Sequence, residues 1–146
     1  MTITAERLAR VLATVPARLV DISEADASQA PAPGCWSKKQ ILGHLIDSAA
    51  NNHQRFVRAQ LAPSFEGPSY QQEDWVNAQA YATERWPDLV NFWLLYNRHL
   101  LHVIANTPEA ALDVPCTIGG SDPVPLSEVM SSYVDHMEHH LAQILG

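Results

Sequence analysis

The stretch Cys35-Trp36-Ser37-Lys38-Lys39-Gln40-Ile41-Leu42-Gly43-His44-Leu45-Ile46-Asp47-Ser48 decides the fold class. Ser37 is a good helix cap, and Gln40 three places later can reach back to close a capping box. Trp36, just ahead of the cap, is placed to pack onto Ile41 as a hydrophobic staple. Past the cap, Ile41, Leu42, Leu45, Ala49 and Phe56 recur at three- and four-residue steps, which lines up one helical face. A helix therefore starts after Trp36 and ends near Leu61, where Pro63 stops it.

The same period appears on both sides of this segment. Leu8, Val11, Leu12, Val15 and Leu19 predict a helix from about Thr4 to Ile22, with Pro16 expected to kink or divide it. A turn segment, Gln29 to Gly34, follows. Beyond Pro63, residues Ser64 to Gln72 read as a loop and Glu73 to Tyr81 as a short helix. Glu84 to Asn106 is a long helix, apolar almost all round, that must be central or lie at a subunit contact. Pro108 to Pro125 is a long connection whose Val114–Ile118 can run extended without making a sheet. The last helix runs from Leu126 or Ser127 to Leu145. Four long helices, one short additional helix and no convincing strand set predict an all-α four-helix bundle, with residues 1–146 as a single domain. The connections Pro63–Gln72 and Pro108–Pro125 are long enough to cross the length of such a bundle.

Bulk composition narrows the partners. Hydrophobic types make up 47% of the 146 residues and charged types only 17%, so ordering is affordable and an oligomer interface has room. Nine basic residues face sixteen acidic ones, a formal charge of −7, and Lys38-Lys39 is the only adjacent basic pair. No nucleic acid partner is expected, because gripping phosphates needs a concentrated positive field. No membrane span or targeting segment is expected either. Cys35 and Cys116 read as reduced thiols of a cytoplasmic protein.

Seven histidines are many for this length, and their placement matters. His136 and His140 form H-x-x-x-H on the last helix, about 40° apart in direction and one turn apart, so both can reach one ion. Val129, Tyr133, Met137 and Ile144 form the apolar arc of that helix, and the two histidines border it. Alone the pattern is weak, since two ordinary histidines give it too. His136-Met137-Glu138-His139-His140 also lacks the glutamate of H-E-x-x-H, which excludes that protease signature. A third ligand is needed, and His44 is the best placed. Ser48, Asn51 and Arg55 continue its face as a polar line, either a pocket wall or a solvated edge. His53, His99 and His102 read as structural or exposed histidines.

Two pieces of the chain carry a resemblance. Trp36-Ser37 through His44-Leu45 resembles the W-S-x-x-(E/Q)-x-x-x-H-L opening of the DinB/YfiT-like family. Tyr133-Val134-Asp135-His136-Met137-Glu138-His139-His140-Leu141-Ala142-Gln143-Ile144 is similar to that family's terminal H-x-x-x-H-x-x-Q-(I/L). The resemblance extends over nearly the whole chain, Phe92-Trp93 to His99-Leu100 included. It implies a bundle of four long helices that pairs into a homodimer. It also implies one divalent ion, zinc or nickel, on His44, His136 and His140. For activity it implies either a metal-dependent hydrolase or a transferase joining a low-molecular-weight thiol to an electrophile.

An ion on three neutral imidazoles can bring the pKa of bound water towards about 7, and equally favours a thiolate over its thiol. Asp47 and Tyr133 are the candidate catalytic residues. Asp47 could take a proton or orient an imidazole, or be ordinary helix-surface charge. Asn51, Arg55 and Tyr133 are the candidate contacts to a small-molecule substrate, with Arg55 suited to a carboxylate. The hydrolase is the first expectation and the thiol transferase the second. A metal-stabilised binding or stress-response protein without activity is the third.

Overall fold

The computed structural model describes residues 1–146. Its long helices are α1 (Ile3–Val20), α3 (Lys38–Ala59), α5 (Trp86–Ala105) and α6 (Leu126–Leu145). Two short ones, α2 (Glu24–Ser28) and α4 (Gln72–Ala78), lie in the connections. The caps follow the sequence chemistry. At Ser37 the hydroxyl accepts from Gln40 N while Gln40 Oε1 accepts from Ser37 N, a complete capping box. Pro16 does not divide α1, which continues to Val20 with Val15 and Leu19 buried on either side of it.

The helices pack as a ring in the order α1, α5, α3, α6. Directions follow from who meets whom. His53 and Gln60 of α3 meet Tyr96 of α5 and Thr107 just past its end, so these neighbours run parallel. Phe56 meets Tyr133 while His44 meets His136 and His140, so α3 and α6 run antiparallel. Arg7 reaches Asp135 and Glu138, and Val11 and Val15 lie beside Leu141 and Leu145, so α1 parallels α6. The bundle thus reads up, down, down, up.

That order sets the task of each connection. Between parallel α3 and α5 the chain must return the full length of the bundle, and residues 60–85 do so. On the way α4 packs against α3, and a 3-10 turn (Tyr81–Thr83) lies over Gly43. The Pro108–Pro125 connection is long enough to run the bundle's length. It instead crosses the bundle's end, from α5 to the diagonally placed α6.

It also makes the sheet that periodicity did not predict. Strand β2 (Pro115–Ile118) pairs in parallel with β1 (Phe65–Gly67) and antiparallel with β3 (Val124–Pro125). Strands of two to four residues, drawn from two distant connections, are too short to carry a readable alternation. The sheet packs on α3 and α6 and forms a wall of the cleft described below.

The core is one cluster of 28 buried apolar residues, drawn mainly from the four long helices, with Ala27, Val76, Tyr81 and Cys116 added from the connections. Trp93, Phe56, Leu89 and Leu100 are fully enclosed, each worth about 1.5–3 kcal/mol of burial. Against this background a few buried polar groups stand out, and His44, Asp47, Ser48 and Asn52 follow one another along a single helix, α3. No helix is long and apolar enough to cross a membrane.

Candidate metal centre

His44 projects from the second turn of α3, and His136 and His140 from successive turns of antiparallel α6. The ring centroids are 4.9 Å apart for His44–His136, 4.9 Å for His44–His140 and 4.6 Å for His136–His140. One nitrogen from each ring lies within 4.8 Å of the other two. The Nε2 atoms of His44 and His136 are 3.0 Å apart. With metal–nitrogen bonds of about 2.0–2.1 Å, ligand nitrogens around a tetrahedral ion stand roughly 3.3 Å apart, a spacing between the 3.0 Å of the one pair and the 4.8 Å that bounds all three.

The protonation states suit a ligand set. His44 is fully enclosed, and burial, with the neighbouring His136 and His140, draws its pKa down to about 4. His136 is drawn down to about 4 by burial and by His140 and His139. Both rings are therefore neutral near pH 7 and keep a lone pair for an ion. At His140, Nδ1–H donates to Gln143 Oε1 at 2.8 Å, which leaves Nε2 as the free donor atom. Buried His44 Nδ1 has no protein partner. Trp36 packs its ring on His44 at 5.0 Å, and it shares the lining of one cleft with Ile41. Three clustered imidazoles, two of them neutral near pH 7, fit a divalent metal ion.

Two clefts open beside the cluster. The first, about 310 Å³, lies on the His136 side between α3, α6 and the sheet. Ser48, Asn52, Arg55, Tyr70, Tyr133 and Val129 are among its lining residues. The second, about 460 Å³, lies on the His140 side and is lined by Cys35, Trp36, Ile41, Glu73, Gln143 and others.

The remaining expected residues are distributed unevenly. Arg55 and Tyr133 line the His136-side cleft, whereas Asn51 donates to Asp47 O and lines a separate groove with Gln54 and Arg58. Asn52, one residue on, takes the place in the cleft that was expected for Asn51. Tyr133 O–H donates to Asn97 Oδ1 across the core, so its proton is already engaged. Asp47 is not a surface charge, being 2% exposed. Its Oδ1 accepts from Gln79 Nε2 at 2.7 Å and Tyr81 O–H at 2.8 Å, and it makes no hydrogen bond to a cluster imidazole. Burial raises its pKa, while those two donors work in the other direction.

Tyr70, Glu73, Gln79 and Tyr81 were not singled out from the sequence. They sit in the return connection, and only the path of that segment along α3 brings them to the site. For Tyr81 there was a faint signal: Gly43 beside a ligand histidine, inside an otherwise regular helix, marks a close approach.

Among solved structures, the fold is similar to YfiT from Bacillus subtilis, described as a probable metal-dependent hydrolase with an unusual four-helix bundle topology. The TM-score is 0.82 at 19% identity, over 96% of this chain and 83% of that one. It is also similar to a mycothiol-dependent maleylpyruvate isomerase, with TM-score 0.78 and 13% identity over 97% of this chain. A mutant form of that isomerase gives TM-score 0.76 and 12% identity over 97% of this chain. The chain spans 59% of the isomerase's length, so that protein is considerably larger. At these identities the likeness establishes the architecture. No curated protein sequence matches the chain significantly. The DinB superfamily's sequence profile matches residues 7–144, nearly the entire bundle, and the chain belongs to the DinB superfamily.

Proposed function

We propose that the protein is a metal-dependent hydrolase acting on a small-molecule ester or amide in the cleft beside His136. The observation that carries this reading is the convergence of three imidazoles, two of them held neutral, beside a cleft lined by His136 together with hydroxyls and amides. His44, His136 and His140 hold zinc or nickel, and the bound ion supplies a lowered water pKa and polarisation of the scissile carbonyl. The chain's own residues do the rest. Gln143 holds His140 in its ligating tautomer, and Trp36 keeps solvent from His44. Tyr133 offers its ring to the substrate, while Arg55 and the Tyr70 hydroxyl supply polar contacts. Asp47 acts as a positioning residue: through Tyr81 and Gln79 it ties the return connection to the helix carrying His44.

A second reading, transfer of a low-molecular-weight thiol to an electrophile, is favoured by one observation. His136 and His140 face different clefts, so two reactants could approach one ion from two sides. The oligomer proposed is a homodimer, supported by Phe92 and Leu95 of α5, which are 50% and 60% exposed. A cytoplasmic location is supported by Cys35 and Cys116 both being free thiols.

The test begins with elemental analysis of untagged protein. Zinc- and nickel-loaded samples are then offered nitrophenyl esters and anilides, and separately a thiol with an electrophile. Hydrolysis abolished by chelation and restored by the ion supports the first reading. Turnover that requires the thiol, with no hydrolysis, replaces it with the second.

A further inference from the structure

We infer that the cleft beside His136 seats a substrate carboxylate on Arg55, at the end away from the imidazoles. The substrate class is then an acyl compound with a second, anionic end. This rests on the reading of that cleft as the substrate site.

Arg55 is half-buried, and its only protein partners are neutral oxygens at long range: Asn52 Oδ1 at 3.4 Å and Pro68 O at 3.3 Å. The ion pairs of the chain belong to Arg7, Lys39 and Arg85, and none to Arg55. The comparison with Lys39 is instructive, because that more deeply buried cation is matched by Glu24. Acidic residues are not scarce, with sixteen against nine basic ones, yet no Asp or Glu lines this cleft. A guanidinium stays charged in proteins, so burial cannot be relieved by losing a proton. An anion entering the cleft relieves it, and a planar fork suits the two oxygens of a carboxylate. Burial also pushes the Tyr70 phenol up, so near neutrality its O–H is intact as a donor on the same wall.

The rest of the lining fits a linker between two polar ends. Ile118, Val124 and Val129 share the lining with Arg55 and His136 and supply its apolar surface. On α3, Arg55 follows His44 by eleven residues, about 16 Å of helical rise. Subtracting the reach of the arginine side chain leaves roughly 8–10 Å between guanidinium and imidazole cluster, and with about 3 Å of that taken by the carboxylate's hydrogen bonds to the guanidinium, about four to six bonds of substrate span the rest. Monoesters and monoamides of short diacids have that spacing. Water adds its OH to the acyl carbon and its hydrogen to the departing alcohol or amine, and the product is the free diacid.

The test uses zinc-loaded full-length protein and calorimetric titration with glutarate, adipate and their neutral diamides. Wild type should bind a diacid and not its diamide. Arg55→Gln should weaken diacid binding by about tenfold or more, and Arg55→Lys, which keeps charge but not the fork, by less. Thermal melts establish that each variant is folded, and Arg55→Lys carries the test if Arg55→Gln is not. Equal binding of diacid and diamide, or unaltered diacid binding in a folded Arg55→Gln protein, overturns the inference. The two readings fail separately. Diacids bound through Arg55 without turnover of any ester would sink the hydrolase and leave the carboxylate seat. Ester cleavage indifferent to a charged tail, and unchanged in Arg55→Gln, would do the reverse.

Discussion

Gly43 makes room for Tyr81: a Cβ at position 43 would stand 2.3 Å from both Cγ and Cδ2 of the tyrosine ring. Glycine inside a helix ordinarily costs up to about 1 kcal/mol relative to alanine. Here the bare backbone lets the ring lie flat on α3, where its hydroxyl reaches Asp47 one turn on from Gly43. The contact ties the return connection to the helix turn that carries His44. Gly43→Ala should therefore destabilise the protein, by about 1–3 kcal/mol in denaturant melts, despite the better helix propensity. A gain in stability would mean that the ring moves aside freely.

His44→Ala separates structure from metal binding. The ring is fully buried with Nδ1 unpartnered, so removing it leaves a cavity but also removes a desolvated polar group. The metal-free variant should melt within a few degrees of wild type. Zinc at a hundredfold excess over its Kd should raise the wild-type melting temperature by roughly 5–10 °C and the variant's by much less. A variant unfolded even without zinc would favour a purely structural role for the ring.

The helices and the histidine cluster could be read from the sequence for one reason: each rests on short-range periodicity plus a few special residues. Ser37 and Gln40 announce a cap, and Ala49 and Phe56 continue the face it starts. His136 and His140 share a face by their spacing. What could not be read depends on the route of the chain. Asn51 and Asn52 are neighbours in sequence, and which one faces the cleft turns on α3's rotation against α6 and the sheet. Asp47 reads in sequence either as a site group or as surface charge, because the residues that engage it, Gln79 and Tyr81, are 32 and 34 positions away. The sheet has the same cause: β1 and β2 lie in separate connections, and neither has a pattern until the other is beside it.

Tyr133 donates its hydroxyl proton to Asn97 in the core, and burial pushes its phenol pKa upward. Tyr133→Phe should leave Asn97 Oδ1 without that donor and lower stability by about 1–3 kcal/mol. Zinc affinity should change by less than about twofold, since the ring remains and touches no ligand-orienting group. Turnover, once an ester substrate is in hand, should fall only modestly. A loss of activity by orders of magnitude at unchanged stability would instead make the hydroxyl a catalytic group.

Acid should loosen the metal-free protein within a definable window. In the unfolded chain His44 and His136 have the ordinary value near 6.5; in the fold both are held at about 4, by burial first and by neighbouring imidazoles second. Above 6.5 both rings are neutral in either state, and they give stability no pH dependence. As pH falls from 6.5 towards 4, the unfolded chain takes up protons that the fold refuses, so stability declines; below about 4 the folded rings protonate as well, and their contribution levels off. The melting temperature in chelator, followed from pH 7 to pH 4, should fall more steeply in wild type than in His136→Gln, which removes one of the two refused protons. Added zinc should deepen the dependence, because protons and ion compete for the same lone pairs. Parallel curves for wild type and His136→Gln would mean that this ring takes up its proton as readily folded as unfolded, and that the site is wetter than its burial implies.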